Sequence, residues 1–260
     1  MGIPMLDKIK TLLNYKLCTV NGDIGKVKEF YFDDQHWAIR YLAADTGRWL
    51  PERQVLISPY ALERVSRERH RIVLALTNSE IESSPCLPSD QPVSHQFEEA
   101  YYGFHGWPKY WCGPYTWGFD PHIVRDRTKW NTHATEENAW GRNVRRTSDV
   151  TGYYIQATDG EIGHVDDFIV DDETWAIRYL IVSTRNWWPG KRVLVSPQWL
   201  QSVTWGEGEM FIKLSGETIH DAPEYTEKLL VTRDYEDRLH RYYERIGYWT
   251  DRPGAPEQLQ

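Results

Sequence analysis

Cysteine is scarce in this 260-residue sequence and basic residues are fewer than acidic ones, and each feature narrows the classes of protein that the sequence can encode. The three cysteines, Cys18, Cys86 and Cys112, lie far apart and form no Cys-x-x-Cys pair. We therefore expect free thiols in a reducing compartment and no zinc site. The 30 basic residues are outnumbered by 38 acidic ones, which gives a net charge of −8. A bare nucleic-acid binder normally carries a basic stripe, so direct nucleic-acid binding is not expected.

Long apolar runs are also lacking. Residues 1–13 contain no apolar stretch typical of a signal peptide. No run approaches the roughly 18 apolar residues of a membrane span. The sequence therefore predicts a cytoplasmic protein without a membrane-spanning segment.

Motifs that carry enzyme chemistry are absent from the sequence. It contains no G-x-S-x-G elbow, Walker loop, dinucleotide fingerprint or H-E-x-x-H pair. Its nine histidines are scattered, and four of them share the middle of the chain without a fixed ligand spacing: His95, His105, His122 and His133. We therefore expect no catalytic residue, no cofactor and no metal site.

What the sequence does contain is a long internal repeat. The hexapeptide Trp-Ala-Ile-Arg-Tyr-Leu occurs at residues 37–42 and again at 175–180, an offset of 138 (175 − 37). Further matches keep this offset without a gap from Tyr15/Tyr153 to Pro85/Pro223. A constant register over this length indicates one domain that has been duplicated.

The repeat has the pattern of a small β domain. Residues 16–20 form a short extended run, and 25–32 alternate apolar and polar side chains, as in a half-buried strand. The hexapeptide is apolar on both faces and predicts a central strand, with its inward face left open. Residues 49–57 predict a fourth strand, Ser58-Pro59 a helical turn, and 63–76 a last hairpin. The spacing predicts an all-β protein of two small antiparallel barrels. Four glycines are predicted at structural turns: Gly22, Gly25, Gly160 and Gly163. At least one of Gly25 and Gly163 is expected to need a positive φ or a close approach of another backbone segment.

These residues resemble the PRC-barrel family. The resemblance rests on the Gly-Asp/Glu-Ile-Gly turn, the Val-x-x-Phe that follows, the hexapeptide, and the Val-Leu-Ile/Val-Ser-Pro end of each repeat. The family includes the cytoplasmic part of the photosynthetic reaction-centre H subunit, the C-terminal half of a ribosome-maturation factor and stand-alone bacterial proteins, which the tandem arrangement resembles most. The resemblance implies docking onto partners and no shared catalytic motif.

An aromatic segment at residues 97–119 follows the first repeat. Its rings are interleaved with Gly and Pro, which predicts an irregular chain path without a long helix. Three interpretations are open: glue between the two barrels, which we favour, a partner-docking surface, or a platform for a sugar or cation. The candidate interaction residues in this segment are Tyr101, Trp107, Tyr110, Trp111 and Trp117.

Charged residues of the repeat supply two further candidates. Arg40 and Arg178 lie in the middle of the repeated strand. Each is either a buried, paired arginine or an exposed one that binds a partner carboxylate. The carboxylate pairs 33–34 and 171–172 are expected to be turn formers.

The remaining chain divides around the repeats. A helix is predicted from residue 221, with Asp221 as cap, to about residue 246. The domain layout comprises a lead-in at 1–14, repeats at 15–85 and 150–223, a linker at 86–149, and a C-terminal helix and tail at 224–260. Short helices are also predicted at 6–13 and 136–142.

Together these observations predict a non-enzymatic adaptor that docks onto a protein partner through barrel faces and the aromatic segment. Two alternatives remain, a ribosome-assembly factor and a small-molecule or sugar binder. Pairing of the two barrels within the chain is expected, and a homodimer is left open.

Overall fold

The computed structural model describes residues 5–51, 53–88, 91–111, 143–184, 191–227 and 230–250. The chain divides into two compact units. The first comprises Met1–Thr151 and Asp167–Tyr179, and the second comprises Gly152–Asp166 and Leu180–Gln260. The first unit therefore holds the first repeat together with the lead-in of the second repeat and the end of one of its hairpins.

The first repeat is built mainly from strands. Its elements, in chain order, are β1 (Leu6–Lys8), α1 (Ile9–Leu12), β2 (Lys16–Thr19), β3 (Gly22–Asp33), β4 (Ala38–Asp45), β5 (Arg53–Ile57), a 3-10 turn (Pro59–Ala61), β6 (Leu62–Ser66), β7 (Arg71–Leu74), α2 (Asn78–Ser83), β8 (Leu87–Pro88) and α3 (His95–His105). The strands of its sheet lie in the order β6-β7-β2-β3-β4-β5-β8.

The second repeat has the same succession of elements, except that its described residues include no counterpart of β8. They are β9 (Val144–Arg146), α4 (Thr147–Val150), β10 (Tyr154–Ala157), β11 (Gly160–Asp171), β12 (Ile177–Thr184), β13 (Lys191–Val195), a 3-10 turn (Pro197–Trp199), β14 (Leu200–Thr204), β15 (Glu209–Ile212), α5 (Gly216–Asp221) and α6 (Arg233–Tyr242). Its sheet has the order β13-β12-β11-β10-β15-β14.

The mostly β architecture agrees with the sequence, but the sheets differ from the predicted barrels. Within the described residues neither sheet closes on itself. Each also contains one parallel pair, β2 with β7 and β10 with β15, where only antiparallel pairs were predicted. The parallel pairs arise because the second strand of each closing hairpin, β7 or β15, returns beside β2 or β10.

Two helix predictions are wrong, a third is right in part, and a fourth lies outside the described residues. Residues 97–105, predicted to be irregular, belong to the eleven-residue helix α3. The helix predicted from Asp221 ends at that residue as α5, and a separate helix, α6, begins after Thr232. The lead-in at 6–13 contains a strand before its short helix. The helix predicted at 136–142 lies outside the described residues.

The duplication extends beyond the predicted repeat in both directions. At the same offset of 138, β1 and α1 correspond to β9 and α4, and α3 corresponds to α6. The matching sequence then continues to Tyr110-Trp111 and Tyr248-Trp249. The aromatic segment is therefore, as far as Trp111, part of the repeated unit.

Both copies of the hexapeptide meet inside the first unit. Trp37 and Trp175 have left-handed backbones, with φ of 54° and 59°. The Ile39 amide donates to the Trp175 carbonyl at 2.8 Å, and the Ile177 amide donates to the Trp37 carbonyl at 2.8 Å. The repeated strands thus contact one another through a reciprocal pair of hydrogen bonds.

Within the same unit, each lead-in strand, β1 or β9, pairs with the long strand of the other repeat. β1 pairs with β11, with Leu6 opposite Asp171. β9 pairs with β3, with Val144 opposite Asp33. Each lead-in strand therefore extends the long hairpin of the other repeat.

Two glycines occupy positions that a side chain would block. Gly25 has a φ of 143°, and a Cβ there would overlap the carbonyl oxygen of Asp45. Gly163 has a φ of 157°, and a Cβ there would overlap the carbonyl oxygen of Ser183. Both positions combine a positive φ with a close backbone approach.

Candidate interaction site

The helix α3 brings the aromatic segment onto the first repeat. The Ser94 hydroxyl accepts a hydrogen bond from the Phe97 amide at 3.2 Å and caps the first turn. Gly106 ends the helix with a φ of 63°, and the Trp107 amide then donates to the Tyr102 carbonyl. The glycines predicted to prevent a helix lie in its last turn and at its C-terminal end.

The rings of this segment form an aromatic layer on the first sheet. The layer consists of five buried side chains from α3 and the loop after it: Phe97, Tyr101, Tyr102, Tyr110 and Trp111. It packs against Tyr41 on β4. The centroid of the Tyr41 ring lies 5.6 Å from that of Tyr101 and 6.2 Å from that of Phe97. Side chains of β3, β5 and β8 complete the cluster. The large apolar area removed from water holds α3 firmly on the sheet.

A buried carboxylate lies inside the aromatic layer. Glu98 is 3% exposed and accepts hydrogen bonds from the hydroxyl groups of Tyr41, at 3.1 Å, and of Tyr110. The Arg40 guanidinium carbon lies 4.0 Å from the centroid of the Tyr110 ring. The layer thus combines hydrogen bonds to a carboxylate with a cation–π contact.

Both candidate arginines of the repeated strand lie in buried ion pairs. Arg40 binds Asp33 at 2.6 Å, and neither side chain is exposed. Arg178 binds Asp171 at 3.1 Å. Burial alone would raise the pKa of Asp33, but Arg40 and His36 outweigh it and hold the pKa at about 2. Asp33 and Asp171 also accept amide hydrogen bonds from the following turn, so each serves as turn former and arginine partner.

Two tyrosines anchor the helix to the 3-10 turn after β5. The Ser58 amide donates to the Tyr101 hydroxyl at 3.1 Å, and the Ser58 and Tyr102 hydroxyls lie 3.1 Å apart. Burial raises the pKa of both phenols. Both therefore stay protonated and act as packing and hydrogen-bonding groups.

An open groove lies at the C-terminal end of α3. We call it the Phe104 groove; its volume is about 260 Å³, and its lining includes the rings of Tyr60, Phe104, His105 and Trp107 and the carboxylate of Glu80. Phe104 is 48% exposed, whereas the layer beneath it is buried. Trp107 stacks on His105 with ring centroids 4.2 Å apart and an angle of 11°. The groove therefore exposes aromatic surface on a rigid base.

Charge in the Phe104 groove is of one sign. Burial lowers the pKa of His105 to about 4, so its ring is neutral at pH 7. Hydrogen bonds that the Thr77 amide and hydroxyl donate to Glu80 lower the pKa of its carboxyl group, so the group is ionised at pH 7. Of the described residues that line the groove, Glu80 is then the one with a charge at neutral pH.

The second repeat differs at the positions that form this groove. At the offset of 138, Gln198 stands for Tyr60, Thr218 for Glu80, and Arg245 for Trp107. The counterpart of Phe104 is Tyr242, whose hydroxyl donates to the Thr218 carbonyl at 2.7 Å. The aromatic and acidic character of the groove therefore belongs to the first repeat.

The candidate interaction residues from the sequence have different environments. Trp107 lines the groove, whereas Tyr101, Tyr110 and Trp111 are buried in the aromatic layer. Trp117 lies outside the described residues. Three residues were not among the site residues predicted from the sequence: Phe104, Glu80 and Glu98. The pairing of Glu98 with Glu236 at the repeat offset was a signal that could have found the buried carboxylate.

The described part of the chain contains neither a membrane-spanning helix nor a cluster of metal-ligating side chains. None of its helices has the length and apolar character needed to cross a membrane. Among the same residues, no three His, Cys, Asp or Glu side chains converge in a way that could hold a metal ion.

Comparison with known proteins identifies the repeated unit. No curated protein matches the chain. The family model described as the PRC-barrel domain matches twice, at residues 7–81 and 142–219. These two matches cover more than half of the sequence and coincide with the duplicated β elements. The chain therefore belongs to the PRC-barrel domain family, of which it carries two copies.

Proposed function

We propose that the chain is a non-enzymatic adaptor that docks onto a protein partner through the Phe104 groove. The observation that carries this proposal is the exposed ring of Phe104, which lines one groove together with Trp107. Large aromatic side chains dominate the binding energy of protein interfaces. Membership of the PRC-barrel domain family is compatible with this role.

The structure beneath the groove supports the proposal. A partner that binds a preorganised surface loses less conformational entropy than one that must order it. The stacked pair of His105 and Trp107 and the hydrogen bonds from Ser58 to α3 restrict the groove before any partner arrives. In this role the buried Tyr101 supports the groove directly, because its ring lies 5.9 Å from that of Trp107, whereas Tyr110 and Trp111 belong to the layer that holds α3 on the sheet.

Site-specific photo-crosslinking tests the proposal in the full chain. A photoreactive phenylalanine analogue is placed at position 104, in the groove, or at position 154 on β10 as a control. Tyr154 has almost the same exposure, 49%, so the two positions differ in location rather than in access to solvent. After irradiation in cells of the source organism, the adducts are identified by mass spectrometry.

The proposal predicts one dominant protein adduct from position 104 that position 154 does not give. The same adducts from both positions, or none from position 104, would contradict it. Adducts made mainly of ribosomal proteins would instead support the assembly-factor alternative.

A further inference from the structure

The chemistry of the Phe104 groove identifies the kind of group that it binds. We infer that the groove takes a cationic side chain, an arginine or lysine of the partner, between its aromatic rings and the carboxylate of Glu80. This inference rests on the proposed docking function and adds the chemical class of the contact.

The aromatic lining is the first argument. Tyr60, Phe104 and Trp107 line the same groove. Trp107 stacks on Tyr60, with an angle of 23° and centroids 6.0 Å apart, and also on His105, so the most open ring of the lining is that of Phe104, which is 48% exposed. The electron-rich faces of aromatic rings attract ammonium and guanidinium groups. A groove of about 260 Å³ has room for the end of one long side chain.

Charge complementarity is the second argument. Glu80 places an ionised carboxylate at the groove, and His105 adds no opposing charge because its pKa is lowered to about 4. The whole chain has a net charge of −8, which favours the approach of a cationic segment. An acidic segment would meet a carboxylate with no basic group among the described lining residues.

Two arginines of the chain itself lie on aromatic rings, and the two tyrosines involved occupy corresponding positions of the two repeats. Arg40 lies over Tyr110 at 4.0 Å in the first repeat. In the second repeat Arg233 lies 4.1 Å from the Trp249 ring centroid and 5.2 Å from that of Tyr248. Cation–π contacts are therefore a recurrent feature of these aromatic clusters.

The second repeat supplies an internal comparison. Arg245 replaces Trp107 there, and Thr218 replaces Glu80. These changes remove one ring and the carboxylate and add a positive charge. The inference therefore assigns cation binding to the first repeat alone.

Fluorine NMR of the full chain labelled with 5-fluorotryptophan tests the inference. The Trp107 resonance is assigned by its loss in a Trp107→Phe variant. The chain is titrated with N-acetyl-arginine amide, and in parallel with N-acetyl-citrulline amide, which replaces the guanidinium with a neutral urea of nearly the same shape. We expect the arginine probe to shift the Trp107 resonance and to bind at least about two- to fivefold more tightly than the citrulline probe.

Two variants locate the charge. Glu80→Gln should lower the affinity for the arginine probe by about two- to fivefold. The variant keeps the capping hydrogen bonds of α2, because glutamine is also suited to this position. Glu82→Gln, on the same helix and outside the groove lining, should leave binding unchanged. Equal binding of the two probes, no shift of Trp107 with either, or equal effects of the two variants would overturn the inference.

The two experiments distinguish failure of cation binding from failure of docking onto a protein. A specific adduct from position 104 together with equal binding of arginine and citrulline would retain docking and reject the cation. Selective arginine binding without a specific adduct would retain the cation site and reject docking onto a protein.

Discussion

At the scale of single residues, the buried pair of Asp33 and Arg40 gives the clearest prediction. Asp33→Asn removes the charge but keeps the oxygen that accepts the turn amides of residues 35 and 36. Because Arg40 is 0% exposed, loss of its charged partner should lower the free energy of unfolding by about 3–5 kcal/mol at pH 7. Urea denaturation followed by circular dichroism measures the change.

The exposed pair of Arg146 and Asp149 is the matched control. Both side chains are about half exposed, so Asp149→Asn should change the free energy of unfolding by at most about 1 kcal/mol. Equal losses in the two variants would contradict the burial argument.

The pKa of Asp33, about 2, lies below its ordinary value of 3.8. Its contribution is therefore present above about pH 4 and is lost as the pH falls towards 2.

His105 predicts a second pH dependence, at higher pH. Its pKa is about 4 in the folded chain against an ordinary 6.5, because burial disfavours the charged ring. Between these values the unfolded chain binds the proton more strongly, so stability falls as the pH drops from 6.5 towards 4. The loss of unfolding free energy between pH 7 and pH 5 should be smaller in His105→Gln than in the wild-type chain.

His95→Gln is the control for this measurement. The His95 side chain is 48% exposed, so this variant reports the effect of removing a histidine that is not buried. If His105→Gln and the wild-type chain lose the same free energy, burial of His105 is not what sets the pH dependence.

At the scale of the secondary-structure elements, substitution of Gly25 or Gly163, near the start of the long strands β3 and β11, is predicted to destabilise the fold. A valine at Gly25 or Gly163 would overlap a carbonyl oxygen of the facing strand at an unfavourable φ. Each substitution should lower the free energy of unfolding by about 1–3 kcal/mol. Chemical denaturation of the two single variants gives the values.

Gly103 in α3 provides a glycine with the opposite expectation. A Cβ there meets no atom within 4 Å and the backbone is helical. Gly103→Ala should therefore raise the free energy of unfolding by about 0.5–1 kcal/mol. Unchanged stability of both valine variants would refute the close-approach argument, whatever the effect at Gly103.

The helices mark where prediction from the sequence succeeded and failed. The Ser58-Pro59 signal gave the 3-10 turn correctly, because its cap is local and the Ser58 hydroxyl accepts from the Tyr60 amide. The helix α3 was missed because Gly103 and Gly106 were read as breakers, although Gly106 is a C-cap. The helix predicted from Asp221 failed because its i,i+4 charge pairs do not locate the start, which the Thr232 cap sets.

The ambiguity over the repeated strand also has a physical cause. All six residues of the first hexapeptide are buried, including Arg40. Periodicity distinguishes the two faces of a strand only when one of them meets water. The inward face could not be predicted because both faces are covered.

At the scale of the whole chain, the duplication was predictable and its full extent was not. The constant offset gave the repeated β domain, and the family match agrees with it. The lead-in strands and the final helices share few identical residues at that offset, since His95 pairs with Arg233 and Tyr101 with Leu239. Closure of the barrel was a wrong prediction for the described residues, because strand spacing does not specify which edges pair.

The Phe104 groove shows why a functional site is harder to predict than the fold. Glu80 and Phe104 are 24 positions apart in the sequence (104 − 80) and belong to different helices. No local motif links them. They meet because the aromatic layer holds α3 on the sheet, and this packing depends on contacts distant in sequence.

The affinity of the partner for matched variants of the two repeats tests the central claim most directly. Phe104→Ala removes the exposed ring of the groove, and Tyr242→Ala removes its counterpart in the second repeat. With the partner identified by crosslinking at position 104, isothermal titration calorimetry should give a loss of about 2 kcal/mol for Phe104→Ala. It should give no significant loss for Tyr242→Ala. Equal affinities of Phe104→Ala and the wild-type chain, with both folded by circular dichroism, would contradict docking through the Phe104 groove.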